Sequence, residues 1–295
     1  MQSRSITRVG KPRLEQGFAG PGHTAKAVIT PENFPQNDPF ILLMDDRIDT
    51  SQELPNMGPH PHAGFETVTL VLEGGLAYHD KNGEGTLQAG DLQWMTAGSG
   101  VVHAEKISGK VNVRILQLWL TLPKAKRWTE PAFQEIRADS LPIRREPGAE
   151  VRLYSGTSGA AQSPTKNHVP TLIADIRLDA HVPLVQELPR DYNGFLYVIA
   201  GTLQVGQQEL NKEEIGWLNR PTDEQESQLA ITAGNEGARV LLYAGQMQHE
   251  PIVHYGPFVG DTQADIVRDY QNYQAGKMQH INEHKTANAP LTRIA

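Results

Sequence analysis

Apolar residues in this chain come in short runs rather than long stripes. Phe40 to Ile48 (FILLMDDRI) and Glu66 to Gly74 (ETVTLVLEG) have the length and the β-branched content of strands. GLAYHD leads into a hairpin turn at Asn82-Gly83, and Gly90-Asp91 marks a second turn ahead of LQWMT. From Val111 to Pro123 the pattern alternates and predicts a central strand. A second set of short apolar runs begins near Thr171, including GFLYVIAGTLQV, QLAITAG and ARVLLYAGQ. Helical spacing is convincing in one place, Thr262 to Gln279. There Ile266, Tyr270 and Tyr273 share a face, and Gly276 supplies a stop.

The two β regions read alike. TLVLEGGLAYHDKNGEGTLQAGDLQWM and LYVIAGTLQVGQQELNKEEIGWL both run strand, Gly, Leu, hairpin, acidic turn, then a strand with Trp. Gly74 falls on Gly201 and Trp94 roughly on Trp217, which points to a duplicated small β-barrel. The stretch between them is rich in Pro, Gly, Ser and charge. This divides the chain into an N-terminal barrel at 1–130, a linker or covering segment at 131–170, and a C-terminal barrel with its helix at 171–295.

Composition narrows the function. Of 295 residues, 38% are hydrophobic, enough for a proper core, and 27 Gly with 20 Pro suit a turn-rich β protein. The formal net charge is −7 and no basic run stands out, which argues against direct nucleic-acid binding. No apolar stretch approaches the ~18 residues of a membrane span, and the first residues lack the apolar core of a signal peptide. A soluble, cytoplasmic protein without a membrane role is the expectation. Cysteine is absent, so disulfides, thiolate ligands and a Cys nucleophile are excluded, and any metal site must use nitrogen and oxygen donors.

Candidate ligands stand in two pairs. His60 and His62 in GPHPHAGFETVT lie two apart and so share one face of a strand. His103 and Glu105 in GVVHAE repeat that spacing. If the two strands are neighbours, three imidazoles and one carboxylate converge on a first-row divalent ion, with positions left for water or substrate. Glu66 has the right parity, but four residues of straight strand span about 13 Å. Only a bulge near Gly64 would bring it to the ion. Glu105 is therefore the expected fourth ligand, and Glu66 is expected to support the site from behind. His79, His168, His181, His249, His254, His280 and His284 have no partner at ligand spacing. Trp94 and Met95 read as core. The second repeat has Glu187 and Pro189 where His60 and His62 stand, so one barrel reads as metal-binding and the other as structural.

These motifs resemble a known family. The His-X-His, Gly-Asp turn and second His resemble the cupin motifs, and HPHAGFETVT, LEGG, GDLQWMTAG, GVVHAE and EPIVHYGPFV look like the pirin family over nearly the whole chain. The resemblance implies an all-β bicupin, two stacked antiparallel cupin barrels with a C-terminal helix. It implies one metal ion held by His60, His62, His103 and Glu105. Iron(II) is the expected ion, with manganese, cobalt, nickel, copper and zinc compatible with the same donors. Some members resemble quercetin 2,3-dioxygenases. A flavonol-like substrate and O2 follow from that, with Glu105 as the catalytic base for the flavonol 3-hydroxyl. The other implied role is a metal- and redox-sensing regulatory protein acting through a protein partner. Two positions depart from many pirins: Ala63 replaces a basic residue after the second His, and Ser99 replaces an arginine. Both are expected at the rim of the pocket.

Overall fold

A computed structural model describes residues 1–17, 22–49, 51, 56–80, 83–107, 112–221, 226–279 and 293–294. The protein is all-β with one substantial helix, and its strands form two compact units. The units cross the boundaries expected from the sequence. One comprises Arg13–Gln36, Phe40–Ser140 and His249–Ala295; the other comprises Met1–Pro12, Asn37–Pro39 and Leu141–Gln248. The chain ends thus pack with the opposite repeat. At the N-terminus, strand Ile6–Gly10 extends the sheet of the second unit by pairing with Ile215–Leu218. Arg4 ties that end down through Ser227 and the carbonyls of Pro189, Tyr192 and Asn219. Such long-range pairing leaves no trace in local sequence.

The first unit carries both histidine pairs. Its eight-stranded sheet runs Arg293–Ile294, Ala132–Ile136, Leu92–Thr96, Phe65–Glu73, Val113–Thr121, Phe40–Ile48, His23–Ile29, Arg13–Gln16. Its four-stranded sheet runs Asn56–His62, Val101–Ile107, Gly75–Asp80, Gly83–Gln88. Ile48, Val71, Val113 and Ile115 from the large sheet meet Leu76, Leu87 and Ile107 from the small one in a single apolar cluster. The strands do not form a closed hydrogen-bonded ring among the described residues. The Asn82-Gly83 turn lies partly outside the described residues.

The second unit is built on a ten-stranded sheet, with a small separate hairpin of Thr157–Ser158 and Ala161–Gln162. Tyr192–Val205 and Ser227–Gln246 are its long central pair. Its interior is filled by aliphatic side chains, among them Val151, Leu153, Ile176, Val198, Val240 and Leu242. Gly74 and Gly201, aligned by the internal repeat, both take positive φ, 77° and 70°. At both, backbone of another segment lies where a Cβ would sit, so the turn needs glycine for conformation and for space.

Two expectations need correction. The 131–170 segment is not mainly irregular: Ala132–Ile136 pairs with Leu92–Thr96, and Ala149–Ser155 pairs with Thr171–Leu178. The inward alternation of Ala149, Val151 and Leu153 is short and interspersed with charge, which hid it. The helix is also shorter than its pattern, Gln263–Gln274. Thr262 caps it and Asp265 returns the bond to the Thr262 amide, a reciprocal capping box. Gly276, at φ 65°, stops the chain from continuing.

Inside the first unit, the Arg114 guanidinium grips the fully buried Asp45 carboxylate through two bonds of 2.8 and 2.7 Å. Arg114→Met removes both of those bonds and leaves the buried carboxylate the Arg47 guanidinium at 3.9 Å. It is expected to lower unfolding free energy by about 3–5 kcal/mol, read from urea denaturation.

Candidate metal centre

Strands Asn56–His62 and Val101–Ile107 are direct antiparallel neighbours, with His103 opposite His60 and Val101 opposite His62. The period of two puts the three imidazoles on one face, and the pairing brings them together. Ring centroids lie 4.4 Å apart for His60–His103, 5.0 Å for His60–His62 and 5.1 Å for His62–His103. One ligand nitrogen from each ring falls within 4.8 Å of the others, and this is the one such cluster among the described residues.

Hydrogen bonding orients the rings. His60 donates from Nδ1 to the Gly58 carbonyl at 2.9 Å, which leaves Nε2 with its lone pair. The His62 ring bonds the carbonyl of Pro257, while its Nδ1 is buried without a partner. Nε2 of His103 is likewise buried and unpartnered. Orphaned buried nitrogens are costly unless something binds them. Burial lowers all three imidazoles, His62 to about 3 and His103 well below its ordinary value; His60 depresses His62 further, and both depress His103. They are therefore neutral at pH 7, the form that ligates a metal. This donor set fits a divalent first-row ion.

Glu105 sits one step outside this cluster. Between His103 and Glu105 the register shifts, and Glu105 pairs with Met57. The opposite strand thus takes three residues where this one takes two. Such a bulge re-aims side chains, and the Glu105 carboxylate is not among the atoms within 4.8 Å of the three rings. Its Oε1 is buried without a partner. Burial, and then the charge of Asp46, push this carboxyl up to about 7. Asp46 is itself bonded to His23 Nε2 at 2.8 Å. Glu66 is fully buried, and its Oε1 accepts a 2.7 Å bond from Thr96 Oγ1. The chain breaks between sheets at Gly64, φ 85°, so Glu66 starts a different strand from His62.

Several neighbours escaped the sequence reading. Phe65 and Trp119 stand edge-on to His62 at 5.4 and 5.5 Å, and Trp119 meets His254 at 5.9 Å. His254 comes from the C-terminal segment, and ligand spacing could not find it. Its string EPIVHYGPFV was the only signal. Ala63 is not at a rim: it is fully buried against Phe258 and Met278. Ser99 is exposed. Trp94 and Met95 are core. His280 and His284 lie outside the described residues. In the second unit, Glu187 is exposed and the interior is aliphatic, with no metal-ligand cluster among its described residues.

A duplicated β fold with a buried histidine cradle in one half and an apolar filling in the other is a bicupin with a single candidate metal centre. The chain belongs to the pirin family. The Pirin family pattern matches residues 22–120 and the Pirin C-terminal cupin domain matches residues 173–279. It is 34% identical to "Pirin-like protein 2" of Arabidopsis thaliana over 93% of this chain and 88% of that protein. It is 32% identical to "Pirin" of Homo sapiens over 81% of this chain and 83% of that protein. The crystal structure of "Quercetin 2,3-dioxygenase" from Acinetobacter baumannii superimposes with a TM-score of 0.83 at 28% identity, covering 93% of this chain and 98% of that one. No helix among the described residues is long and apolar enough to cross a membrane.

The neutral rings set a pH dependence. In the unfolded chain the imidazoles return to about 6.5. As pH falls below that value, the unfolded chain takes up protons that the folded site refuses, and stability drops. Glu105 works in the opposite sense, since its raised carboxyl takes its proton first in the folded chain, between about 7 and its ordinary 4.5. Asp46 and Asp269, also raised by burial, act with Glu105, and His254, also lowered by burial, acts with the three rings, so four imidazoles stand against three carboxyls. For chelator-treated protein the urea midpoint is expected to fall from pH 6.5 to 5, and His103→Gln is expected to flatten that slope.

Proposed function

We propose that the chain is a metal-dependent dioxygenase of the quercetin 2,3-dioxygenase type, acting on flavonol-like substrates. His60, His62, His103 and Glu105 would hold one divalent ion, with iron(II) the expected occupant. The observation that carries this reading is the cluster of three imidazoles, His62 and His103 buried with an unpartnered nitrogen each and His60 half-buried beside them. Its bulge leaves Glu105 close in sequence to the triad and free of other hydrogen bonds at Oε1, which supports a loosely held fourth ligand. The similarity to the Acinetobacter baumannii enzyme supports the reaction class.

When bound, the ion supplies Lewis acidity toward an enolic hydroxyl and redox access to O2. The chain's own residues do the rest. Glu105, a buried carboxylate with an unpartnered oxygen, accepts the proton of the flavonol 3-hydroxyl. Phe65, Trp119 and His254 offer aromatic faces beside the triad for a planar substrate. Burial of the histidines excludes bulk water from the reacting atoms.

The test is anaerobic reconstitution with iron(II), then manganese, cobalt, nickel and copper, followed by quercetin and O2. Loss of the flavonol absorbance with stoichiometric O2 uptake is expected. His62→Ala is expected to abolish both metal binding and turnover, and Glu105→Gln to slow turnover by about 10²–10⁴-fold. Full occupancy by every metal without turnover sinks the dioxygenase reading for quercetin.

A further inference from the structure

The C-terminal segment returns to the first unit and touches both histidine-bearing strands within one residue of a proposed ligand. Pro257 offers its carbonyl to the His62 ring and, at 3.4 Å, to the amide of Ala63. Val259 donates to the Ala63 carbonyl at 3.0 Å. On the other strand, Val102 donates to the Gln279 carbonyl at 2.8 Å, next to His103. Between these points Ala63, Val102, Phe258, Ile266 and Met278 form one apolar cluster, so the helix covers the strands behind the imidazoles.

Arg127 locks the arrangement. Its guanidinium is fully buried, bonds the Gly64 carbonyl at 3.0 Å, and pairs with Asp261 at 2.7 Å. One side chain thus joins the end of the His62 strand to the segment that carries Pro257. The close approach depends on Gly64, where an added Cβ would sit 1.7 Å from the Val259 carbonyl oxygen.

We infer that Arg127 and Asp261 are positioning residues for the metal centre. They hold the Pro257 carbonyl against the His62 ring and so couple metal occupancy to docking of the C-terminal helix. The inference rests on the metal reading above and adds to it a route by which the ion's presence is felt on the helix surface. A carbonyl that fixes a ligating imidazole's tautomer and orientation is worth about 10–100-fold in metal affinity. Coupling of this kind is reciprocal: whatever loosens the segment weakens the ion, and the ion tightens the segment. A merely structural Arg127–Asp261 pair would alter melting temperature alone.

The experiment uses the full chain, stripped with chelator and titrated with cobalt(II) against a colorimetric chelator. Arg127→Lys and Asp261→Asn are compared with Arg239→Lys, which disturbs the Asp175 pair of the second unit. The first two variants are expected to weaken cobalt(II) binding by about 10–100-fold and to change its visible spectrum, while Arg239→Lys changes neither. In the wild type, saturating cobalt(II) is expected to slow amide exchange at Val102 and Val259. Should Arg127→Lys fail to fold, Asp261→Asn carries the test, since Asp261 is partly exposed. Wild-type affinity and spectrum in folded Asp261→Asn overturn the inference and leave the metal reading standing. A wild-type chain that binds no metal overturns both.

Discussion

Three imidazoles, two of them buried, can share one pocket only while none of them carries a second proton, and much of the first unit serves that condition. Desolvation makes the protonated form of each ring costly, and each ring raises the cost for the next. Backbone carbonyls of Gly58 and Pro257 accept hydrogen bonds from the His60 and His62 rings. What remains is a set of lone pairs gathered in one place, an arrangement that is unfavourable by itself and favourable around a cation. The surrounding structure therefore has to supply stability from elsewhere, through the apolar cluster between the sheets and through the buried Arg114–Asp45 pair.

The second unit shows the same architecture without that demand. Where the first unit turns imidazoles inward, the second packs Leu, Val and Ile. The related glycines keep their positive φ in both. The repeat thus preserves the turn that shapes the sheet while the inward side chains differ, so one half can carry chemistry and the other only stability. Exchange of the chain ends between units gives the first unit its helix and gives His62 the Pro257 carbonyl.

Much of the site was legible because strand parity is a local rule. His60 with His62, and His103 with Glu105, declare a shared face at once, and the apolar runs declare the strands that carry them. The same rule does not by itself place Glu105, because one bulge on the opposing strand changes the pairing without any change of spacing in GVVHAE. It could not place Ala63, which follows a ligand yet is buried beneath a helix two hundred residues away in sequence. Nor could it find Trp119, His254 or Arg127, whose roles come from what they touch.

Sequence alone determined the all-β class, the duplication, the absence of thiolate ligands, the helix and its glycine stop, and the identity of the three histidines. Those properties follow from composition and from periods of two and 3.6 residues, which act over a few neighbours. Tertiary structure decided which strands pair, that His62 and His103 are buried and all three rings stay neutral, that Glu66 is engaged by Thr96, and that the C-terminal segment closes behind the histidines. Burial and pairing are sums over residues far apart in the chain, so no window of sequence contains them.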